Sequence, residues 1–296
     1  MNGGEVVVDV MLSRDVDTVF FVPGGTNTTI LEALSRNRNK VRAVPTRLES
    51  SAAFACETYS KFAKKPACML ASRAPGACNA TVGIHTAMQA SRPLVFFISN
   101  IPKPQQGREA FQEINYHLMY QPIAKAVFDV HSYDEIAEVT ARALDLSISG
   151  RPGPVVVAIS KDILDGPEGE PVIPAAAAIV RAGVDPIAVK EAIRLIDTAH
   201  HPILVAGEMI SWEMATQALV DFADASGVGV FTAYRQQDTF PSDHGANFGH
   251  LGINRIPFQE AALSDCDLLI AMGTRMDSVT VNDYTMIQPD QRLVMV

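Results

Sequence analysis

Short apolar, β-branched runs alternate along this chain with longer stretches of helical periodicity, and that alternation restricts the fold more than any other feature. A run apolar at every position must be covered on both faces, and amphipathic helices must each bury one stripe. A parallel sheet with helices on both sides satisfies both demands. Strands are expected near 18–22, 41–45, 67–72, 94–99 and 154–160, interleaved with helices near 3–14, 27–37, 50–64, 77–90 and 133–147. Pro23-Gly24-Gly25, Pro75-Gly76 and the run Gly150–Pro154 supply turns at the junctions.

A chain of 296 residues is long enough for two such domains. Between residues 166 and 186 the composition turns to Pro, Gly and Ala with few large apolar side chains, which reads as a linker. The expected organisation is a first α/β domain over 1–165, the linker over 166–186, and a second over 187–296. In the second, helices are expected near 187–198 and 212–225, and strands at Ile203–Ala206, Val228–Thr232, Leu268–Met272 and Leu293–Val296. The last run, RLVMV, reads as a buried parallel strand with no helix after it to cover it, so the chain is expected to be cut short there.

Hydrophobic residues make up 48% and charged residues 19%, a balance that favours a folded core over disorder. With 24 basic and 33 acidic residues the net charge is −9, a field that repels nucleic-acid phosphates and anionic membranes, so neither is an expected partner. Cys56, Cys68, Cys78 and Cys266 form no C-x-x-C pair, which argues against structural zinc and a disulfide framework and suits a reducing cytoplasm. The seven histidines are scattered and no metal-ligand set is expected. The sequence contains no G-x-x-x-x-G-K-[ST], G-x-S-x-G, H-E-x-x-H or G-x-G-x-x-G, so nucleotide hydrolysis, serine-hydrolase and zinc-protease chemistry lack their signatures.

What remains is an ordered set of loops at expected strand ends, where open α/β sheets bind ligands. They are Val22–Gly25 (VPGG), Pro45–Ser50 (PTRLES), Ser72–Asn79 (SRAPGACN), Gly107–Glu113 (GREAFQE), Ser149–Val155 (SGRPGPV) and Ser160–Ile163 (SKDI). Taken alone, each is equally a turn, a helix cap or a solvated loop. In this order and spacing they resemble the pyrimidine-binding domain of thiamine-diphosphate enzymes of the acetolactate synthase type. Pro202–Glu208 (PILVAGE) and Asp267–Thr280 resemble that family's central Rossmann-like domain, so the resemblance covers nearly the whole chain.

The resemblance implies two doubly wound α/β domains and a decarboxylase or carboligase that takes a 2-oxo acid such as pyruvate and passes its acyl fragment to an acceptor. It implies a glutamate that hydrogen-bonds the cofactor's aminopyrimidine and so promotes removal of the thiazolium C2 proton; by motif position this is Glu49. Pro23, Gly24, Gly25, Ser72, Pro75, Gly76 and Asn79 would contact the cofactor, Gln112 both cofactor and substrate, and Phe111 and Lys161 the substrate. Arg151 reads as a turn residue.

Leu48 stands where many members have histidine, Val22 where tyrosine is frequent, and Arg73-Ala74 where Ser-Gly is usual. Mg2+ and the diphosphate would be held by a third domain bearing a G-D-G motif, which this sequence lacks. Homo-oligomers with shared sites, small 2-oxo acid or aldehyde substrates, and a cytoplasmic role in branched-chain amino acid biosynthesis follow from the resemblance. Arg275 and Asp277 match a stretch that binds FAD in some relatives, while Gly249–Ile256 departs from the corresponding loop. Another thiamine-diphosphate lyase, or a non-catalytic scaffold pairing with a separate diphosphate-binding subunit, would carry the same loops.

Overall fold

The computed structural model describes residues 1–166, 169–176 and 183–296. The chain divides into two compact units, Met1–Ile179 and Val180–Val296.

The first unit is built from α1 (Gly3–Ser13), β1 (Thr18–Phe21), α2 (Thr28–Arg36), β2 (Arg42–Pro45), α3 (Glu49–Ala63), β3 (Ala67–Ala71) and α4 (Gly76–Gln89). It continues with β4 (Leu94–Asn100), α5 (Tyr116–Tyr120), β5 (Ala126–Val130), α6 (Glu135–Ile148), β6 (Pro154–Ser160) and α7 (Lys161–Asp165). The strands form one six-stranded parallel sheet in the order β2-β1-β3-β4-β6-β5.

Successive strand residues face opposite sides of the sheet. Cys68, Leu70, Val95, Phe97, Val155 and Val157 therefore join α1, α2, α6 and α7 in one core. Met69, Phe96, Ile98, Val156 and Ala158 join α3, α4 and α5 in the other. The doubly wound architecture expected from the apolar runs is the one observed. Helix α1 opens with a capping box, in which Asn2 Oδ1 accepts from Glu5 N at 2.9 Å and Glu5 Oε2 accepts from Asn2 N at 3.0 Å.

The second unit contains α8 (Pro186–Asp197), β7 (Pro202–Ala206), α9 (Glu208–Trp212), α10 (Thr216–Ser226), β8 (Gly229–Thr232), β9 (Asn247–His250), α11 (Pro257–Asp265), β10 (Leu268–Met272) and β11 (Arg292–Met295). Its five strands are again all parallel, in the order β11-β10-β7-β8-β9. Leu204, Ala206, Val230 and Ile270 pack against α9 and α10 on one face; Ile203, Val205, Phe231 and Leu269 pack against α11 on the other.

The structure differs from the sequence expectation in several added elements, in one helix start and in the linker. Strands β5 and β9 are additional; both sit at sheet edges, are largely half-buried, and lack an uninterrupted apolar run. Helices α5, α7, α9 and α11 are additional too; the first three are only five residues long, and the apolar residues of α11 form no clear stripe. The helix expected near 212–225 is α10, which begins only at Thr216 because Met214 takes a left-handed backbone (φ 55°) that an α-helix cannot continue through. Of the stretch read as linker, residues 169–176 lie against the first unit: Gly169 N donates to Met1 O at 3.1 Å, Arg14 Nη1 donates to Pro174 O at 2.6 Å, and Ile173 packs on the core. Residues 167–168 and 177–182 of it lie outside the described residues.

Candidate active site

Strand order reverses beside β1. The chain leaves β1 for β2 on one side and returns across it to β3 on the other, which opens a crevice at the carboxyl ends of β1 and β3. Two loops meet there. A Cβ on Gly24 would lie 2.8 Å from Ser72 Cβ, so the loop after β1 passes the loop after β3 at a distance only glycine permits. Thr26 Oγ1 and Ser72 Oγ share a hydrogen bond of 2.7 Å, and Asn27 Oδ1 accepts from Gly24 N at 3.0 Å.

Glu49 is the first residue of α3 and is 8% exposed. Its Oε2 accepts from Asn79 Nδ2 at 3.1 Å, and Asn79 stands in the first turn of α4. Its Oε1 faces Gly76, where a Cβ would come within 2.7 Å. The carboxyl group thus lies at the start of two helices, whose positive dipole ends favour negative charge. Among the described residues Oε1 has no hydrogen-bond donor, which leaves it available to a ligand.

The loop after β3 is anchored from beneath. Ala74 N donates to Tyr116 Oη at 3.0 Å within the interior, and Tyr120 Oη donates to Ala77 O. Burial pushes the Tyr116 hydroxyl up to about 12, so it stays a neutral phenol across the physiological range. The Ala74-Pro75 bond is cis. Sequence reasoning passed over both tyrosines. Their spacing of four residues places them on one helix face, which reads as ordinary core until the polar tips find partners.

The loops named from the sequence therefore separate into groups. Gly24 and Ser72 meet, and Glu49, Gly76 and Asn79 meet, while Pro23, Gly25 and Pro75 lie exposed along the same loops. Phe111 is 80% exposed and Gln112 holds φ +66° on a loop closed by Glu113, whose carboxylate accepts from Gly107 N and Ala110 N. Those bonds hold Glu113 below the usual carboxylate range. Beneath this loop a pocket of about 330 Å³ opens at the ends of β4, β5 and β6, lined in part by Asn100, Gln106, Asp129, His131 and Ser160. Lys161 pairs with Asp165, which also accepts from Thr29 Oγ1. No described contact joins Phe111, Gln112 or Lys161 to Glu49. Arg151 donates to Ser91 Oγ at 2.9 Å and to Met88 O, as a turn residue would. In the second unit the Asp277 carboxylate accepts from Val279 N, Thr280 N and Thr280 Oγ1 at 2.9–3.2 Å, closing its own turn.

Among the described residues no group of three or more His, Cys, Asp and Glu side chains could hold a metal ion. No described helix is long and apolar enough to cross a membrane. Cys56, Cys68 and Cys266 are buried free thiols, pushed up by that burial, and Cys78 is exposed.

Residues 1–119 match the model for the thiamine pyrophosphate enzyme N-terminal TPP binding domain, and residues 189–296 match that for the thiamine pyrophosphate enzyme central domain. A probable acetolactate synthase large subunit of Methanocaldococcus jannaschii is 28% identical over 99% of this chain and 50% of its own length. An acetolactate synthase of Mycobacterium bovis is 31% identical over 99% of this chain and 48% of its own length. The acetolactate synthase large subunit of Corynebacterium glutamicum is 31% identical, with 99% of this chain and 47% of its own length covered. The chain spans about half the length of these curated relatives.

Proposed function

The chain belongs to the thiamine pyrophosphate enzymes, and on that premise we propose that its first unit holds the aminopyrimidine of thiamine diphosphate against Glu49, in a protein that decarboxylates a 2-oxo acid such as pyruvate and transfers the acyl fragment to an acceptor. The observation that carries this reading is the buried Glu49 carboxyl. One oxygen is fixed by Asn79, and the other lies against the Gly76 backbone, without a described donor, at a distance only glycine permits. When bound, the cofactor supplies a carbon nucleophile and an electron sink for the pair released with CO2.

The protein's own contribution is positional and protonic. Glu49 Oε1 holds or accepts the proton shared with a ring nitrogen, and Asn79 fixes the plane of the carboxyl. The linked loops carrying Gly24 and Ser72 form the wall of the crevice, with Pro23, Gly25 and Pro75 along its rim. Phe111, with most of its ring open, and Gln112 serve the acceptor side, and Lys161 serves substrate entry. A homo-oligomer with shared sites, small oxo-acid or aldehyde substrates and a cytoplasmic setting belong to the same proposal.

The test uses the protein purified from its own cells, supplied with thiamine diphosphate, Mg2+ and pyruvate, with products scored by NMR. Acetolactate should form, and Glu49→Gln should lower the rate by about 10²-fold or more. Acetaldehyde as the sole product would assign a decarboxylase instead. An unaltered rate in the Glu49→Gln protein would sink the assignment.

A further inference from the structure

Strand order reverses a second time in the first unit. From β4 the chain runs past the place of β6 to pair as β5 at the sheet edge, then returns to insert β6 between the two. Helix α5, which follows β4, packs on the face shared with α3 and α4, and α6, which follows β5, packs on the opposite face. Connections that part in this way leave a crevice at the carboxyl ends of the strands. The pocket of about 330 Å³ lies there, within the size range of small-ligand sites.

Strand register fixes what faces it. Asp129 pairs with Ala158 and Ala158 with Ile98, and the latter two belong to the core beneath α5. Paired residues of neighbouring strands share a face, so Asp129 points to the α5 side, where Tyr116 also lines the pocket. Burial first, and the Asp129 charge among lesser effects, raises the Tyr116 phenol, which puts that carboxylate within electrostatic reach of the ring. Most acceptors around the pocket are taken. Asn100 Oδ1 accepts from Ile101 N at 2.7 Å, Ser160 Oγ from Gln106 Nε2 at 2.8 Å, and the Glu113 carboxylate from Gly107 N and Ala110 N. The Asp129 carboxylate has no hydrogen bond and no ion pair among the described residues. None of the described residues lining the pocket is a lysine or an arginine; Lys103 donates Nζ to His131 O at 2.8 Å from outside that lining.

We propose that this pocket is a second ligand site, which takes a primary ammonium ion carried on a short apolar stem. The ammonium group donates to Asp129, and the stem lies against Ile101 and Ile114. An anionic ligand would meet two carboxylates, Asp129 and the ionised Glu113, with no cation to offset them. A neutral ligand would leave the Asp129 charge unmatched, whereas a charge-assisted bond to an ammonium group satisfies it. Such a site stands whether or not the Glu49 crevice holds thiamine diphosphate.

The His131 ring signal of the full chain labelled at histidine ¹³Cε1, assigned by its loss in His131→Gln, reports occupancy. At fixed pH and ionic strength, n-butylammonium should shift it along a saturating curve, while n-butanol and butyrate at equal concentration should not. Asp129→Asn, with an unchanged circular dichroism spectrum, should weaken n-butylammonium binding at least tenfold. The series from methylammonium to n-butylammonium needs no substitution, and affinity should rise about threefold with each added CH₂. A missing or non-saturating response, an equal response to n-butanol, or Asp129→Asn binding within twofold of wild type would each overturn the ammonium site. Affinity that stays flat along the series would overturn the apolar stem contact.

Discussion

Gly76 and Asn79 act on the two oxygens of one carboxyl group, and they act in opposite ways. Asn79 occupies Oε2, and Gly76, lacking a Cβ, lets Oε1 keep its place against the start of α4. Gly76 does not hold a positive φ, so alanine there is compatible with the backbone and its methyl group alone is at issue. Gly76→Ala should leave the circular dichroism spectrum unchanged and lower cofactor-dependent turnover at least tenfold; full activity would show that Oε1 is not the working oxygen. Tyr116 offers a second test at this scale. Removing its hydroxyl leaves Ala74 N unsatisfied in the interior, so Tyr116→Phe should lose about 1–3 kcal/mol in denaturant unfolding. Glu49, Gly76 and Asn79 were named from the sequence through the resemblance of the ordered loops, and the structure brings these three side by side. Tyr116 and Tyr120 were not so named, because nothing local distinguishes a core tyrosine from one whose hydroxyl holds a distant loop.

At the level of elements, α3 and α4 lie close together because their facing residues are small. A Cβ on Gly83 would sit 2.3 Å from Ala53 Cβ and 3.3 Å from Ala53 backbone atoms, so the helices would have to separate. Gly83→Ala should therefore destabilise the first unit by about 1–3 kcal/mol, read from its denaturant midpoint. In the second unit Asp267 ties three elements together. It accepts from His200 N and His201 N before β7, at 2.9 and 2.8 Å, and pairs with Arg292 on β11 at 3.3 Å.

Slight burial pushes the Asp267 carboxyl up, but the two backbone bonds and the arginine outweigh it and hold it below the usual carboxylate range. A depressed folded-state value adds stability above the unfolded pKa of about 4, and that stability is lost as pH falls through the folded value. Asp267→Asn should thus melt below wild type at pH 7, with the gap narrowing below about pH 4; a gap independent of pH would refute the charge argument. Interior strands were legible for the reason that β5 and β9 were not. A strand buried on both faces writes an unbroken apolar run; β5 is interrupted by Asp129 and β9 has Phe248 as its one large apolar residue, while β11, expected as a buried strand, is an edge strand that alternates half-buried and exposed residues.

For the molecule as a whole, the alternation of strand and helix patterns was enough to specify two all-parallel sheets, since few other arrangements cover strands apolar on both faces. The reversal of strand order beside β1, which brings the site loops together, had no local signature; it arises from which strands pair. Each sheet has apolar cores on both of its faces. Residues 1–179 expressed alone should therefore fold, giving dispersed amide resonances and a cooperative melt. A chain that stays unfolded would show that its cores do not suffice.

The chain's one tryptophan, Trp212, closes α9 in the second unit, while four of the six tyrosines, at 59, 116, 120 and 133, lie in the first. Fluorescence excited at 295 nm consequently originates in the second unit. The molecule comes with an optical label on one unit, and a titration read by tryptophan emission takes its signal from α9.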